Sequence, residues 1–314
     1  MMIKNLKYLP LLLLLSLVLV SCANESEEKT GKTKVVCTTG MIGDLVHNIA
    51  GDSIELTVLM GPGVDPHLYK ATQGDLSKLR AADLIVYNGL HLEGKMGEVL
   101  EQLGKVQNVF PIAQAVDSSF LLSDPAYPGA FDPHIWFDLN IWASTIDGLT
   151  QELIRVKPEA EQYFLENAVD YQIRLGELNQ WVYRKIRTIP PSKRKLITAH
   201  DAFKYFGKAY GIEVRGLQGI STVSEFGLKD RVDLVDYIIE YKVPAIFVET
   251  SVSERNIRSV LEACQKQGHS VELGGSLYSD AMGEASSTAG TYVGMVEANV
   301  NTIVSALKPK LNEN

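Results

Sequence analysis

From residue 34 onward the chain alternates between two hydrophobic rhythms. Short β-branched runs, which suit buried strands, are followed by stretches in which apolar residues recur every three or four positions, the spacing of one helix face. Strands are expected over 35–38, 54–60, 84–87 and 106–109, with helices over 41–50, 73–81 and 96–103 between them. Such a β-α-β series dictates a parallel sheet covered by helices. Trp142, Ile146, Leu149 and Leu153 then mark the apolar face of a further helix, for which Asp138 is a plausible cap. Pro158 opens a much longer one. In it Phe164, Ala168, Tyr171, Leu175, Leu178 and Val182 alternate steps of four and three, unbroken until Pro190-Pro191.

A helix running about 45 Å at 1.5 Å per residue exceeds what a compact sub-domain requires. It is expected to bridge two lobes. The alternative, a coiled-coil dimer seam, has too few heptads to be preferred. Beyond Pro191 the strand–helix rhythm resumes, with strands over 195–198, 245–248 and 271–273 and helices over 202–210, 232–241, 254–267 and 291–307. The expected fold class is α/β: two lobes, each a parallel-type sheet covered by helices, joined by one long rigid α-helix. The N-terminal lobe spans residues 35–157, the linking helix 158–189 and the C-terminal lobe 190–314.

The residues before the first strand read as an address. Lys4 and Lys7 precede the apolar run 9–20, which is short for a membrane span and suits a signal-peptide core. Leu19-Val20-Ser21-Cys22 looks like a bacterial lipobox, so residues 1–21 are expected to be removed and Cys22 to carry a lipid. An ordinary secretory signal with an incidental cysteine is the alternative. Residues 22–34 are polar and charged and suit a flexible tether. The protein is therefore expected outside the cytoplasm, lipid-anchored to a bacterial membrane, in the periplasm or at the cell surface. Composition adds two limits. With 46% apolar residues among 314 the chain can build one large domain or two medium ones. Its formal net charge of −8, made more negative by loss of the two leader lysines, argues against nucleic acid as a partner. Besides Cys22 only Cys37 and Cys264 remain, and both are expected to be buried free thiols.

The chemistry centres on a repeat. Asp65-Pro66-His67-Leu68-Tyr69 returns as Asp132-Pro133-His134-Ile135-Trp136. Proline fixes its own φ and excludes the preceding Asp from helical geometry, so each copy presents its imidazole from a stiff backbone, which suits a metal ligand. Asp65 and Asp132 could hold the second ring nitrogen of the neighbouring histidine. A single copy would read as a turn with a surface histidine; two among six histidines suggest one common target. His200, Glu249 and Asp280 each fall at or just past the carboxyl end of an expected strand, the rim where α/β sheets bind ligands. If the lobes face each other, His67 and His134 come from one rim and His200 and Asp280 from the other. Three imidazoles and a carboxylate suit zinc or manganese, whereas copper(I) and iron–sulfur sites want sulfur ligands. Glu249 is a further ligand or a carboxylate behind the ligands. His47, His91 and His269 read as surface positions. The segment 89–95 nearly spells a phosphate-binding loop, but Met96 stands where a hydroxyl should ligate magnesium.

The chain resembles the metal-binding lipoproteins that serve ABC importers of manganese and zinc, the cluster A-I solute-binding proteins, most closely the treponemal type. The carriers are 61–67, 87–93, 131–137, 198–203 and 277–283, and the likeness covers essentially the whole mature chain. It implies that His67, His134, His200 and Asp280 ligate one divalent ion, Zn2+ or Mn2+ with Fe2+ also admitted, between two α/β lobes. It implies delivery of that cargo to a membrane permease by a monomer, with no catalysis. Manganese-dedicated relatives usually carry Glu where His200 stands, and zinc-dedicated ones often carry a His-rich loop that residues 112–132 lack, so the chain fits neither subclass. The competing class is a secreted mononuclear zinc hydrolase with Glu249 as general base, although no His-Glu-x-x-His helix is present. Adhesion is a third reading on which the sequence is silent.

Overall fold

Val35 and Cys37 face one apolar cluster and Val36 another, so both faces of their strand are covered and its apolar run is unbroken. In the computed structural model, which describes residues 31–123, 129–223 and 226–309, this strand is β1 (Thr33–Cys37). It pairs in parallel with β2 (Ile54–Val58) and β3 (Leu84–Tyr87), and β3 pairs with β4 (Val109–Pro111), giving the order β2-β1-β3-β4. Parallel neighbours require crossovers. Helices α1 (Gly40–Ala50), α2 (Gln73–Ala81) and α3 (Gly97–Leu103) provide them. The expected leader, Cys22 and most of the tether lie outside the described residues.

Among the boundaries that differ from the periodicity, two in the first sheet have a local cause. Thr33 already pairs with Ile54, so β1 begins earlier than its apolar run. The fourth strand starts at Val109 rather than at Val106, which is 80% exposed in the turn closing α3. An isolated valine there mimicked a strand start without a buried face to support it.

Helices α4 (Leu139–Val156) and α5 (Glu161–Ile186) follow, with the Asp138 carboxylate accepting from the N–H groups of Asn140 and Ile141 at the start of α4. The 26 residues of α5 span about 39 Å. All six apolar positions read from its sequence are buried, while Leu165, Val169 and Ile173 face solvent.

The second half carries β5 (Lys195–His200) paired in parallel with β6 (Glu213–Gln218), and β7 (Ala245–Glu249) paired in parallel with β8 (Glu272–Leu277). Helices α6 (Lys204–Tyr210), α7 (Leu228–Glu240), α8 (Glu254–Lys266) and α9 (Tyr292–Leu307) complete it. β6 gave no strand signal, because its first four residues are Glu213, Val214, Arg215 and Gly216, none of them buried. β8 continues through Gly274-Gly275, where a loop was expected. A side chain at Gly274 would sit 2.7 Å from the Phe247 ring and 2.9 Å from Ala306, so glycine lets this strand approach its neighbours.

One apolar cluster runs through both halves, joining Val35 and Val86 of the first sheet, Tyr171 and Leu175 of α5, and Phe247 and Met295 of the second half. α5 packs on α1 and α4 and also on α9. The halves therefore share a core. Cys37 and Cys264 are buried and unpaired, in separate clusters. Among the described residues no helix is long and apolar enough to cross a membrane.

Leu175 sits in this shared core and Val169 on the opposite face of α5. Leu175→Ala is expected to cost about 2–5 kcal/mol in urea unfolding. Val169→Ala is expected to stay within about 0.5 kcal/mol. Equal effects would mean that α5 is not anchored by the face described.

Candidate metal centre

Both Asp-Pro-His segments begin with the same hydrogen bond. Proline carries no N–H, so the first backbone donor after the aspartate is that of the histidine. The His67 N–H donates to Asp65 Oδ1 at 2.9 Å and the His134 N–H to Asp132 Oδ1 at 3.0 Å. Each is an Asx-type turn that aims the imidazole before any tertiary contact acts on it. His67 follows the Gly61-Pro62-Gly63 bend beyond β2, where Gly63 takes a φ of +70°. His134 precedes the short 3-10 turn Ile135–Phe137 that leads into α4. His200 is the last residue of β5, and Asp280 lies just past β8.

These four side chains meet, each offering a ligand atom within 4.8 Å of the others. They are buried, at 0–2% exposure. Asp280 faces all three rings: its Oδ1 lies 3.4 Å from His134 Nε2, and its Oδ2 lies 3.7 Å from His67 Nε2 and 3.2 Å from His200 Nε2. His134 Nε2 and His200 Nε2 are 3.4 Å apart. Donor atoms bonded tetrahedrally to zinc at about 2.0–2.1 Å stand roughly 3.3 Å from one another. The observed spacings match that edge length, with His67 slightly withdrawn, and the set could hold one metal ion. Both His67 ring nitrogens make no hydrogen bond within the described residues, an expensive state for buried polar atoms unless a cation joins them.

Carboxylates stand behind two of the rings. Asp132 Oδ1 is 2.7 Å from His134 Nδ1, so this aspartate holds both backbone and ring. Glu249, the last residue of β7, accepts the His200 N–H at 2.8 Å with Oε1 and places Oε2 2.5 Å from His200 Nδ1. Asp65 does not reach the His67 ring. Its second oxygen instead accepts the Thr222 hydroxyl at 2.6 Å.

Electrostatics separate the three histidines. Burial pushes His67 down to about 3, against the pull of Asp280, and this ring is neutral at pH 7. Burial also opposes charge on His134, but Asp132 and Asp280 outweigh it and raise the group to about 9. His200 is likewise desolvated, yet Glu249 and Asp280 hold it well above the usual imidazole range. Burial would lift Asp280, whereas the His200 and His134 imidazoles hold it well below the ordinary carboxylate range. Without a cation, the raised His134 and His200 rings stand as charged partners beside Asp280. A divalent ion must displace those protons, since ligating imidazoles are neutral.

Several supporting residues carried no signal that was read from the sequence. The Trp136 indole N–H donates to the Ser279 carbonyl at 3.1 Å, tying the His134 segment to the Asp280 loop. The Tyr292 hydroxyl donates to the Trp136 carbonyl at 2.5 Å, and the Tyr205 hydroxyl to the Asp132 carbonyl at 3.0 Å. The phosphate-loop look-alike also has its explanation. Its backbone curls around its own carboxylate, with the N–H groups of Asn88 and Gly89 and the Thr38 hydroxyl donating to buried Glu93. Asn88 Nδ2 then donates to the Pro133 carbonyl at 2.9 Å, bracing the His134 segment. His47 and His91 are exposed and His269 bonds the Val243 carbonyl, all outside the cluster. Glu249 has both oxygens on His200 and is 3% exposed, which leaves it no water to activate as a general base.

Residues 35–306 match the family model described as ZnuA, zinc-uptake complex component A, periplasmic. The chain belongs to the ZnuA family. It is 46% identical over 293 residues to the manganese-binding lipoprotein MntA of Bacillus subtilis, covering 92% of this chain and 95% of that protein. It is 47% identical over 277 residues to the zinc-binding protein TroA of Treponema pallidum, covering 88% and 89%. The solved structure of that treponemal protein superposes with a TM-score of 0.86, over 89% of this chain and all of the other. A third relative is the manganese ABC transporter substrate-binding lipoprotein PsaA of Streptococcus anginosus, 31% identical over 312 residues and covering 97% of this chain and 99% of that protein. The two-lobe α/β architecture expected from the sequence is the one this family has.

The shifted groups fix the pH profile of the metal-free protein. His134 is raised on folding, so its contribution is complete below the unfolded value of 6.5 and is lost as pH climbs towards about 9. Asp280 is lowered, so its contribution is present above 3.8 and is lost as acid overtakes its folded value. Urea midpoints of chelator-stripped protein are expected to be highest near pH 6.5, falling towards pH 9 as His134 loses its proton and falling on the acid side because folding keeps His67 neutral down to about 3. His134→Gln should fall less steeply over that alkaline range. An identical slope in both proteins would contradict the assigned protonation.

Proposed function

We propose that this chain is the extracytoplasmic receptor of an ABC importer for a divalent transition metal, with His67, His134, His200 and Asp280 as the ligands of its cargo. The observation that carries this reading is the buried three-histidine, one-carboxylate cluster drawn from both halves of the chain. Nitrogen and oxygen donors without thiolate favour zinc, manganese or iron(II) over copper(I). Asp280 turns both oxygens inward, which lets the same residues give zinc four bonds or a larger ion a fifth. Intrinsic affinity at such donors rises from manganese through iron(II) to zinc, so availability at the cell surface selects the physiological cargo. The relatives MntA, a manganese-binding lipoprotein, and TroA, a zinc-binding protein, agree with that latitude.

Four protein ligands leave little room for a reactive water, and the reading is therefore capture and delivery rather than catalysis. A lipid on Cys22 would keep the receptor at the membrane beside its permease. One chain supplies all four ligands, so a monomer suffices. Docking on the permease separates the halves enough to release the ion. Their shared core restricts this to a small tilt rather than a wide hinge.

Chelator-stripped protein is expected to take up about one zinc or manganese ion per chain. In competition with a chromophoric chelator, Asp132→Ala should lose about 10- to 100-fold in affinity through its hold on His134. Asp280→Ala should lose at least as much while its urea midpoint moves less. Unchanged affinity in Asp280→Ala would remove that residue from the site. Metal analysis of protein recovered from its native cells without added salts identifies the cargo.

A further inference from the structure

His67 stands apart from the other three candidate ligands in one respect: it lines a surface cavity of about 430 Å3 that His134, His200 and Asp280 do not. One wall of this cavity comes from the first half of the chain, with Leu90, Lys95 and Phe131, and the other from Ile220, Ser221 and Val223 in the loop after β6. A hydrogen bond joins the two sides. The Thr222 hydroxyl donates to Asp65 Oδ2 at 2.6 Å, while Asp65 Oδ1 accepts the backbone N–H of His67 at 2.9 Å. A single carboxylate thus fastens the loop after β6 to the backbone of the residue that meets the cavity.

Resting on the metal-receptor reading above, we propose that the cavity beside His67 is the route by which the ion enters and leaves, and that the Thr222–Asp65 hydrogen bond is the latch that sets its rate of release. Thr222 is a positioning residue. It is absent from the ligand cluster and acts through Asp65, by keeping the loop after β6 drawn towards the His67 turn. A side-chain hydrogen bond at 2.6 Å is strong enough to shift an open–closed equilibrium about tenfold. Because the latch governs the route and not the ligand set, its loss accelerates capture and release together. The equilibrium affinity then changes far less than either rate.

Valine keeps the shape of threonine and removes the hydroxyl, whereas serine keeps the hydroxyl. Thr222 is partly exposed in a loop, so neither variant disturbs the core. The full chain and its Thr222→Val and Thr222→Ser variants are loaded with zinc and mixed with excess chromophoric chelator in a stopped-flow instrument. The expected result is release about tenfold faster from Thr222→Val and close to wild type from Thr222→Ser. Release from Thr222→Val at the wild-type rate overturns the latch while leaving the metal site intact. Equal acceleration in both variants also overturns it, since the hydroxyl is then not responsible. Wild-type protein that retains no zinc overturns the metal-receptor reading, and the latch with it.

Discussion

The structure depends on how a carboxylate and three imidazoles are kept together in a dry interior. Each of these groups loses hydration on burial, and burial alone would discharge every one of them. The fold offsets this by pairing. Asp132 stands behind His134 and Glu249 behind His200, so two rings stay charged beside Asp280 when no cation is present. The third ring, His67, has no such partner on Nδ1 among the described residues and remains neutral. In the metal-receptor reading proposed above, such an arrangement exchanges protons for a divalent ion with little movement, because the rings are already aimed.

Aim comes from three levels of structure. Locally, the aspartate two residues before His67 and before His134 binds the histidine N–H, and the intervening proline narrows the backbone choices. At the next level, strand ends deliver His200, Glu249 and, just beyond β8, Asp280 to one rim. At the third, α5 and the apolar cluster shared by both halves pack the two sides of the cluster against each other. A site assembled from two halves can thereby be tight and still be opened by a modest tilt, as delivery of an ion requires.

Much of this was legible because each feature has a short-range cause. The apolar face of α5 follows from burial along its whole length, and its six positions could be read directly. The repeated Asp-Pro-His identified two of the converging residues, and strand ends identified the others. What escaped has causes that cross the chain. β6 begins with exposed and half-exposed positions and so lacks a strand's periodicity, and β8 passes through two glycines whose purpose is contact with Phe247, Ala306 and Thr302. Asp65 and Asp132 share one motif, yet only Asp132 reaches its histidine ring, while the second oxygen of Asp65 accepts from Thr222 across the chain. The loop of residues 88–93 resembled a phosphate cradle since it is an anion cradle, filled by Glu93. Local spacing cannot distinguish these pairs. The expected leader and Cys22 fall outside the described residues.

The central claim is that one cation sits among the Nε2 atoms of residues 67, 134 and 200 and the carboxylate of residue 280. X-ray absorption at the zinc edge of the loaded protein addresses this directly. The account predicts an inner shell of three imidazole nitrogens and carboxylate oxygen at about 2.0–2.1 Å, with the multiple scattering of three imidazole rings. A sulfur neighbour at about 2.3 Å, or a shell dominated by water with at most one imidazole, would contradict it.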